Sequence, residues 1–437
     1  MTSPTLRRTL TAKDLALAVA SMAIGSGIFL VPGAVIKQTG GAVGPALLVW
    51  LLGGVISLLG ALTYGELSAA RPEAGGVYVY IRDAFGPLPA FLFGWTAFWV
   101  IGSATCGLLG VAFASYLNEL VPLSLVGGKV VAALMIAVVM VVNVRGARQG
   151  ADLGNWTTGF KAAVLLVLAV FFMAKGHGFS RPETVMWPAA VSGSLFSSAG
   201  LALLGALWAY EGWQYITFSG GEAVSGQTIA RGLLVGTAGV TVIYLLMNVG
   251  YVAALGGAGA AASDRIAAQA VTALFGGAAG KAITLVVMLS TFSAANGLVL
   301  TIPRVYYRMA KDGLFFRRFA EVHPRYATPA VAIVASCAWS MFLAVTGSFD
   351  QLLSYVVFVA YVFYGLGAVA VFVYRRRDSG AARPFSVPGY PVTPALFVLA
   401  AAALVINTVI QDPKRGLVAG GAVLLGVPVY YFWKKRG

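Results

Sequence analysis

Apolar residues in this chain fall into runs of about twenty positions, and the charged residues gather between the runs instead of alternating within them. A helix of about twenty apolar residues matches the roughly 30 Å hydrocarbon core of a bilayer. The pattern predicts twelve spans: Asp14 to Ile36, Val43 to Ala69, Leu88 to Leu120, Val130 to Val144, Leu153 to Ala174, Ser194 to Glu222, Leu233 to Leu255, Ala282 to Met309, Pro329 to Thr346, Leu352 to Tyr374, Pro394 to Ile410 and Leu417 to Trp433. The expected fold class is therefore all-α and integral to the membrane.

Two of these runs are interrupted. Ile24-Gly25-Ser26-Gly27-Ile28-Phe29 lies midway along the first span, and each glycine there costs roughly 1 kcal/mol against alanine in a helix. Backbone groups released at that depth must find partners in the protein or in a hydrated cavity, so the break is either a helix-packing notch or a binding site. The sixth span contains Leu207-Trp208-Ala209-Tyr210-Glu211-Gly212-Trp213-Gln214, which sets a carboxylate and a glycine at mid-depth. Burying a bare charge there costs at least about 2.5 kcal/mol, so Glu211 is a functional candidate. The first and sixth spans each open a group of five, and paired breaks of this kind point to inverted repeats with a substrate site between half-helix ends. The expected division is residues 1–174 as a first five-helix repeat with an N-terminal arm, 175–376 as a second, inverted repeat, and 377–437 as two further helices and a short tail. The half-helix after Gly27 would aim its free N–H groups at an anion such as a carboxylate. Carbonyls left at the ends of the preceding half-helices suit an ammonium. One group of each sign, close together, describes an α-amino acid.

Composition agrees with a membrane class: of 437 residues, 59% are hydrophobic and 10% charged, with a mean hydropathy of +0.85. The formal charge of +15 reports topology, not nucleic-acid binding, because the cations sit between spans. With the N-terminus inside, 21 Lys and Arg face inward, 8 face outward, and Lys161 alone lies within a span. The clusters at Arg304 to Arg325, Arg375 to Arg383 and Lys434 to Arg436 all fall on the same side, which predicts cytoplasmic termini in a plasma or inner membrane. The arm from Met1 to Lys13 is too short for a cleaved signal, so the first helix is expected to be retained. Both cysteines, Cys106 and Cys337, fall inside spans, and the histidines, His177 and His323, lie far apart in loops. No metal site, cofactor or nucleophile–base pair is expected, so the chain does not read as an enzyme. The few polar positions cluster at the breaks and form no continuous pore stripe, which argues against a channel.

Several blocks carry a resemblance: Gly25-Ser26-Gly27-Ile28-Phe29; Tyr64-Gly65-Glu66-Leu67 with Arg71-Pro72-Glu73-Ala74-Gly75-Gly76-Val77-Tyr78 and Ala84-Phe85-Gly86-Pro87; Trp208-Ala209-Tyr210-Glu211-Gly212-Trp213; and Ser290-Thr291-Phe292-Ser293-Ala294-Ala295-Asn296-Gly297 followed by Arg304 and Lys311-Asp312-Gly313. In this order they resemble the amino acid, polyamine and organocation transporter superfamily with its LeuT fold, and most closely the L-type amino acid transporters. The resemblance covers nearly the whole chain. It implies a LeuT-type 5+5 inverted repeat, unwound in helices 1 and 6 at mid-membrane, plus two C-terminal helices. It also implies a sodium-independent L-amino acid exchanger working by alternating access, without a cofactor.

Carried over residue by residue, the resemblance assigns the substrate carboxylate to Gly25, Ser26 and Gly27. The α-ammonium is assigned to carbonyls around Ala23, Ile24, Trp208, Ala209 and Glu211, with Gln214 and Tyr215 lining the pocket. Trp208 matches an aromatic that closes over substrate as an outer gate; its alternative is packing in the membrane core. Lys161 lies eight residues past Leu153, about 12 Å into its helix and too deep for easy snorkelling. In the family a lysine here replaces a sodium ion, which places its ammonium near the carbonyl of Ala23 or Gly25 and near Ser290 or Ser293. A lysine able to give up its proton would instead permit a proton-coupled amino acid or polyamine symporter.

Glu211 stands where many L-type relatives have glycine. Either it pairs directly with cationic side chains, or it caps the unwound backbone while the pocket takes neutral substrates. Glu66, Arg71, Arg82 and Asp83 flank a short loop and read equally as an inner gate or as topology signals. Glu222 reads as a solvated helix end, and Asn296-Gly297 as a bend or a packing site. The loop from Asn118 to Lys129 has no cysteine for a disulfide-linked ancillary subunit. Besides L-amino acids and lipid, no partner is expected. A sensor that binds amino acids without moving them would show the same binding residues.

Overall fold

The computed structural model describes residues 8–188, 193–347, 349–380 and 383–434. The start of the N-terminal arm, two residues within the Arg375 to Arg383 cluster, and Lys435 and Arg436 of the final cluster lie outside these residues. The described chain is all-helical, with two isolated β-bridges, Leu10 with Ala223 and Ala74 with Ser219.

The first run forms two helices, α1 (Ala12–Ala23) and α2 (Gly27–Gln38), bent by 51° at the glycine-rich break. Thr11 and Asp14 form a capping box that starts α1, so the helix begins where the last polar residues of the arm can satisfy its free N–H groups. Then follow α3 (Val43–Ala70), the short α4 (Val77–Phe85), α5 (Pro87–Leu120), α6 (Leu125–Arg145) and α7 (Ala147–Lys175). The second interrupted run gives α8 (Gly193–Tyr210), which passes into a 3-10 segment, Trp213–Phe218. The rest comprises α9 (Gly226–Ala261), α10 (Ile266–Phe275), α11 (Gly277–Thr301), α12 (Pro303–Lys311), α13 (Ala330–Thr346), α14 (Phe349–Arg377), α15 (Val392–Gln411), α16 (Pro413–Leu424) and α17 (Gly426–Lys434).

Among the described residues, nine helical stretches are long and apolar enough to cross a membrane, and the bent α1–α2 pair makes ten. Two of the twelve expected spans appear as shorter apolar helices, α13 and the part of α8 from Ser198 to Tyr210. Helix α8 ends at Tyr210 because the chain leaves α-helical geometry at Glu211-Gly212. Helix α7 starts at Ala147, six residues before the expected Leu153, because the helix continues through Arg148, Gln149 and Asp152, whose polarity puts them outside an apolar window.

Burial sorts the helices into centre and rim. The best apolar windows of the α5, α11–α12 and α14 stretches are 72%, 78% and 72% buried, whereas those of α6, α15 and α16–α17 are 22%, 28% and 17% buried. The last two predicted spans are therefore peripheral, and their outer faces carry exposed Leu, Val and Ile that suit lipid. Helix α1 packs against α7, α9 and α11, and α8 packs against α2 and α3, which brings both interruptions into the middle of the bundle.

Candidate functional site

The two interruptions face one another. A Cβ added at Gly27 would fall 2.7 Å from both the Cα and the Cβ of Ala209, so only glycine permits this approach. Gly212 has φ +135, a conformation that favours glycine, and its α-carbon lies against Met22 and Ala23. The pair of breaks is thus built from residues chosen for backbone proximity.

At the start of α2 the amides of Ser26, Gly27 and Ile28 have no backbone acceptor among the described residues, as expected for a helix N-terminus. The Ser26 hydroxyl is buried and unpartnered beside them. Ser26 and Gly27 border a partly open space of about 30 Å³, lined also by Thr105, Trp208, Glu211 and Tyr215 among others. That volume holds about two water molecules. A wall of free N–H dipoles at a helix N-terminus favours an anionic group.

The carbonyl side is more occupied than expected. Gly25 N–H turns back to Ala23 O at 2.8 Å, which leaves Ser21 O without the amide that a continuing helix would supply. Lys161, fully buried on α7, fills that position: its ammonium donates to Ser21 O at 2.8 Å and to Ile24 O at 2.5 Å. The expected carbonyls of Ala23 and Gly25 are not the ones it meets: Ile24 lies between them and Ser21 two residues before Ala23. Because α7 begins at Ala147, Lys161 lies fourteen residues into it, about 21 Å along the helix. Ser290 donates to Ile24 O at 2.7 Å and to Gly25 O at 3.1 Å. Ser293 does not reach the ammonium; its hydroxyl bonds Ser21 Oγ at 2.9 Å and Thr157 Oγ1 at 2.8 Å. A cation, carbonyls and hydroxyls here form the kind of oxygen-rich set that would otherwise suit a hard metal ion.

Tyr244 of α9 is the residue that sequence reasoning missed. Its hydroxyl lies 2.5 Å from Ala23 O and 2.9 Å from Ala209 O, tying together the carbonyl ends of α1 and α8. Trp208 O accepts from Glu211 N–H at 3.0 Å. Four of the carbonyls expected to be open, those of Ala23, Ile24, Trp208 and Ala209, are therefore engaged within the protein. A tyrosine inside a long apolar run offers little to pattern reasoning, because its ring packs like any other hydrophobe.

Glu211 is braced through one oxygen. Oε1 accepts from Tyr215 Oη at 2.6 Å, Tyr364 Oη at 3.0 Å and Gln214 Nε2 at 3.3 Å, while Oε2 is buried and unpartnered. Gln214 also donates to Tyr364 Oη at 2.7 Å and accepts from Gly212 N–H at 3.2 Å. It braces the break and does not line the cavity, whereas Tyr215 does line it. Trp208 forms part of the cavity wall and packs near Gly27.

Beyond the site, one end of the bundle is closed by charge. The arm docks through Thr9 N–H and Leu10 N–H to Glu222 O at 2.8 and 3.0 Å, and Val224 N–H donates to Leu10 O at 3.1 Å. Glu222 is not a solvated helix end: it is buried and receives Arg304, itself fully buried, at 2.9 and 3.2 Å. Glu66 receives Arg375 at 2.8 and 2.6 Å. Arg71 approaches Asp83 at 3.5 Å, and Arg82 pairs with Asp83 at 2.8 Å and Asp312 at 2.6 Å. Partial burial opposes the charge of Arg82, but hydrogen bonds to Asp312 and Asp83 outweigh it and raise its pKa above the ordinary arginine value. Asn296 accepts from Asn143 Nδ2 at 2.9 Å and donates to Gly150 O at 2.8 Å, joining α11, α6 and α7.

The comparisons extend over this whole architecture. The amino acid permease family profile matches residues 10–425. The serine/threonine exchanger SteT of Bacillus subtilis is 33% identical over 420 residues, covering 94% of each chain. The human cystine/glutamate transporter is 31% identical over 428 residues, and the human b(0,+)-type amino acid transporter 1 is 30% identical over 421; each alignment covers 94% of this chain, and 83% and 84% of the respective relative. These relatives are transporters, and none is an enzyme. With a matching profile across nearly its full length and a central site between two broken helices, the chain belongs to the amino acid permease family of multi-pass membrane transporters.

Proposed function

We propose that the protein is a sodium-independent L-amino acid exchanger that works by alternating access in the plasma or inner membrane, with cytoplasmic termini. Its twelve spans would form a LeuT-type 5+5 inverted repeat, with two C-terminal helices outside it and repeat boundaries near residues 174 and 376. The observation that carries this reading is the buried ammonium of Lys161 on Ser21 O and Ile24 O, beside the Ser290 hydroxyl. A fixed positive charge at the carbonyl end of a broken helix does electrostatically what a bound sodium ion would do, so no sodium need be taken up each cycle.

The substrate carboxylate would sit on the amides of Ser26 and Gly27 and the free Ser26 hydroxyl, with Gly25 giving the chain its turn. The α-ammonium would take carbonyls at the two breaks: that of Glu211, and those of Ile24 and Trp208, where it would share the oxygen with Lys161 and Ser290 and with the Glu211 amide. Because Tyr244 holds Ala23 O and Ala209 O, substrate would share or displace that hydroxyl. Trp208 would close the cavity on its outer side.

The arrangement at Glu211 favours a small substrate with a side-chain donor. One carboxylate oxygen is held by three protein donors, and the other is left unpartnered beside a space of about 30 Å³. The B. subtilis relative named for serine and threonine is consistent with such a substrate. A competition screen with wild type and Glu211→Gln tests this. Selective loss of hydroxyl and cationic amino acids supports direct pairing, and uniform loss across all substrates assigns Glu211 to bracing alone. Counterflow in liposomes separates exchange from sensing: internal unlabelled amino acid should accelerate entry of label, and saturable binding without counterflow would overturn the proposal.

A further inference from the structure

Between the last turn of α14 and the start of α15 lies an open pocket of about 520 Å³ lined by Phe372, Arg375, Arg376, Ser379, Arg383 and Tyr390. It sits at the basic end of the bundle, where the Glu66–Arg375 and Arg71–Asp378 pairs join α3 to α14. We propose that this pocket binds the phosphate headgroup of an anionic phospholipid, whose acyl chains lie along the outer face of α15.

The charge is unbalanced in favour of an anion. Arg375 gives a two-pronged hydrogen bond to Glu66 and lies over the Tyr390 ring, 3.8 Å from its centroid. Arg383 approaches the same carboxylate at 3.5 Å and donates to Asp378 O at 3.0 Å. One glutamate thus faces two guanidinium groups. Arg376, exposed on the pocket wall, has no ionic or hydrogen-bonding partner among the described residues. Its planar fork matches a phosphate, and the exposed Ser379 can add a hydroxyl donor.

The shape favours lipid over a soluble anion. Phe372 lies one helical turn before Arg376, about 6 Å deeper along α14, and its ring packs against Tyr390 at 5.5 Å. Directly after Tyr390, α15 presents Val392, Leu396 and Leu399 on one face, exposed by 60%, 48% and 64%. Spacings of four and three residues align these side chains along the helix. A free cation beside an exposed apolar stripe matches a headgroup and its chains, the pattern of anionic-lipid pockets between membrane helices. A free phosphate would use only the first half of this surface. Because Arg375 and Arg383 also hold Glu66, the lipid would rest on the charge network that closes this end of the transporter.

The test is native mass spectrometry of the purified full-length protein in detergent, titrated with phosphatidylglycerol or with phosphatidylcholine of the same chains. Wild type is expected to retain phosphatidylglycerol in preference to phosphatidylcholine. Arg376→Gln is expected to reduce that preference about fivefold, the contribution of one arginine at a membrane surface. Arg231→Gln, which removes an exposed arginine from the first turns of α9, is expected to leave it unchanged. Arg376 makes no hydrogen bond or ion pair among the described residues, so the variant should keep the wild-type melting temperature. Equal retention in Arg376→Gln and wild type, or an equal loss in Arg231→Gln, would overturn the assignment. Displacement of bound phosphatidylglycerol by inorganic phosphate would also overturn it, by marking a soluble-anion site.

Discussion

Replacing Lys161 by methionine keeps most of the side-chain length and removes the charge that holds the α1 break. In the wild type its ammonium supplies two charge-assisted hydrogen bonds, at 2.8 and 2.5 Å, and Ser21 O has no other donor among the described residues. A charged hydrogen bond contributes about 1.5–3 kcal/mol, and an orphaned buried carbonyl costs about 1–3 kcal/mol. These terms overlap within one site, so we take about 2–4 kcal/mol for docking of the break. At 1.36 kcal/mol per factor of ten, the conformer with an intact site becomes about thirty to a thousand times rarer. Burying a charge is itself expensive, so the global melting temperature of Lys161→Met should move little. The assay is counterflow of labelled amino acid in proteoliposomes at matched protein incorporation, where exchange should fall at least about thirtyfold. Exchange within about threefold of wild type, less than 1 kcal/mol, would refute the assignment of Lys161 to the break.

Three further outcomes follow from contacts in the same region. Gly27→Ala forces a methyl group to within 2.7 Å of Ala209 and should cost about 1–3 kcal/mol, seen as a lower melting temperature together with lost exchange. Tyr244→Phe leaves the ring in place but removes the donor to Ala23 O and Ala209 O; a penalty of about 1–3 kcal/mol should lower exchange roughly fivefold to a hundredfold without unfolding the protein. Arg304→Met strands the buried Glu222 carboxylate and should destabilise by about 3–5 kcal/mol in thermal unfolding, with Glu222→Gln in the same chain restoring much of the loss.

The features that carried through from sequence to structure have strong, local signals. Long apolar runs become helices because a bilayer leaves the backbone no other economical partner than itself. The bend after Ala23 and the end of α8 at Tyr210 fall where glycines make helix geometry expensive. Boundaries were less legible, as at α7, where polar residues at the membrane edge continue the helix beyond the apolar window. The contacts that assemble the site were least legible, since they join residues 82 to 221 positions apart: Tyr244 to Ala23, Tyr364 to Glu211, Arg304 to Glu222. Glu222 read as solvated because sequence shows its position at a helix end but not the arginine that packs over it. Lys161 was informative because a lysine so deep in an apolar run demands a partner, although the carbonyls it meets lie one and two residues from those expected.

In the proposed exchange cycle, Lys161 stands in for a sodium ion. The most direct test is counterflow by the wild-type protein in liposomes, measured once in sodium and once with sodium fully replaced by choline on both sides of the membrane. The same exchange rate is expected in both, because the charge at the α1 break belongs to the protein. Collapse of exchange in choline would contradict it.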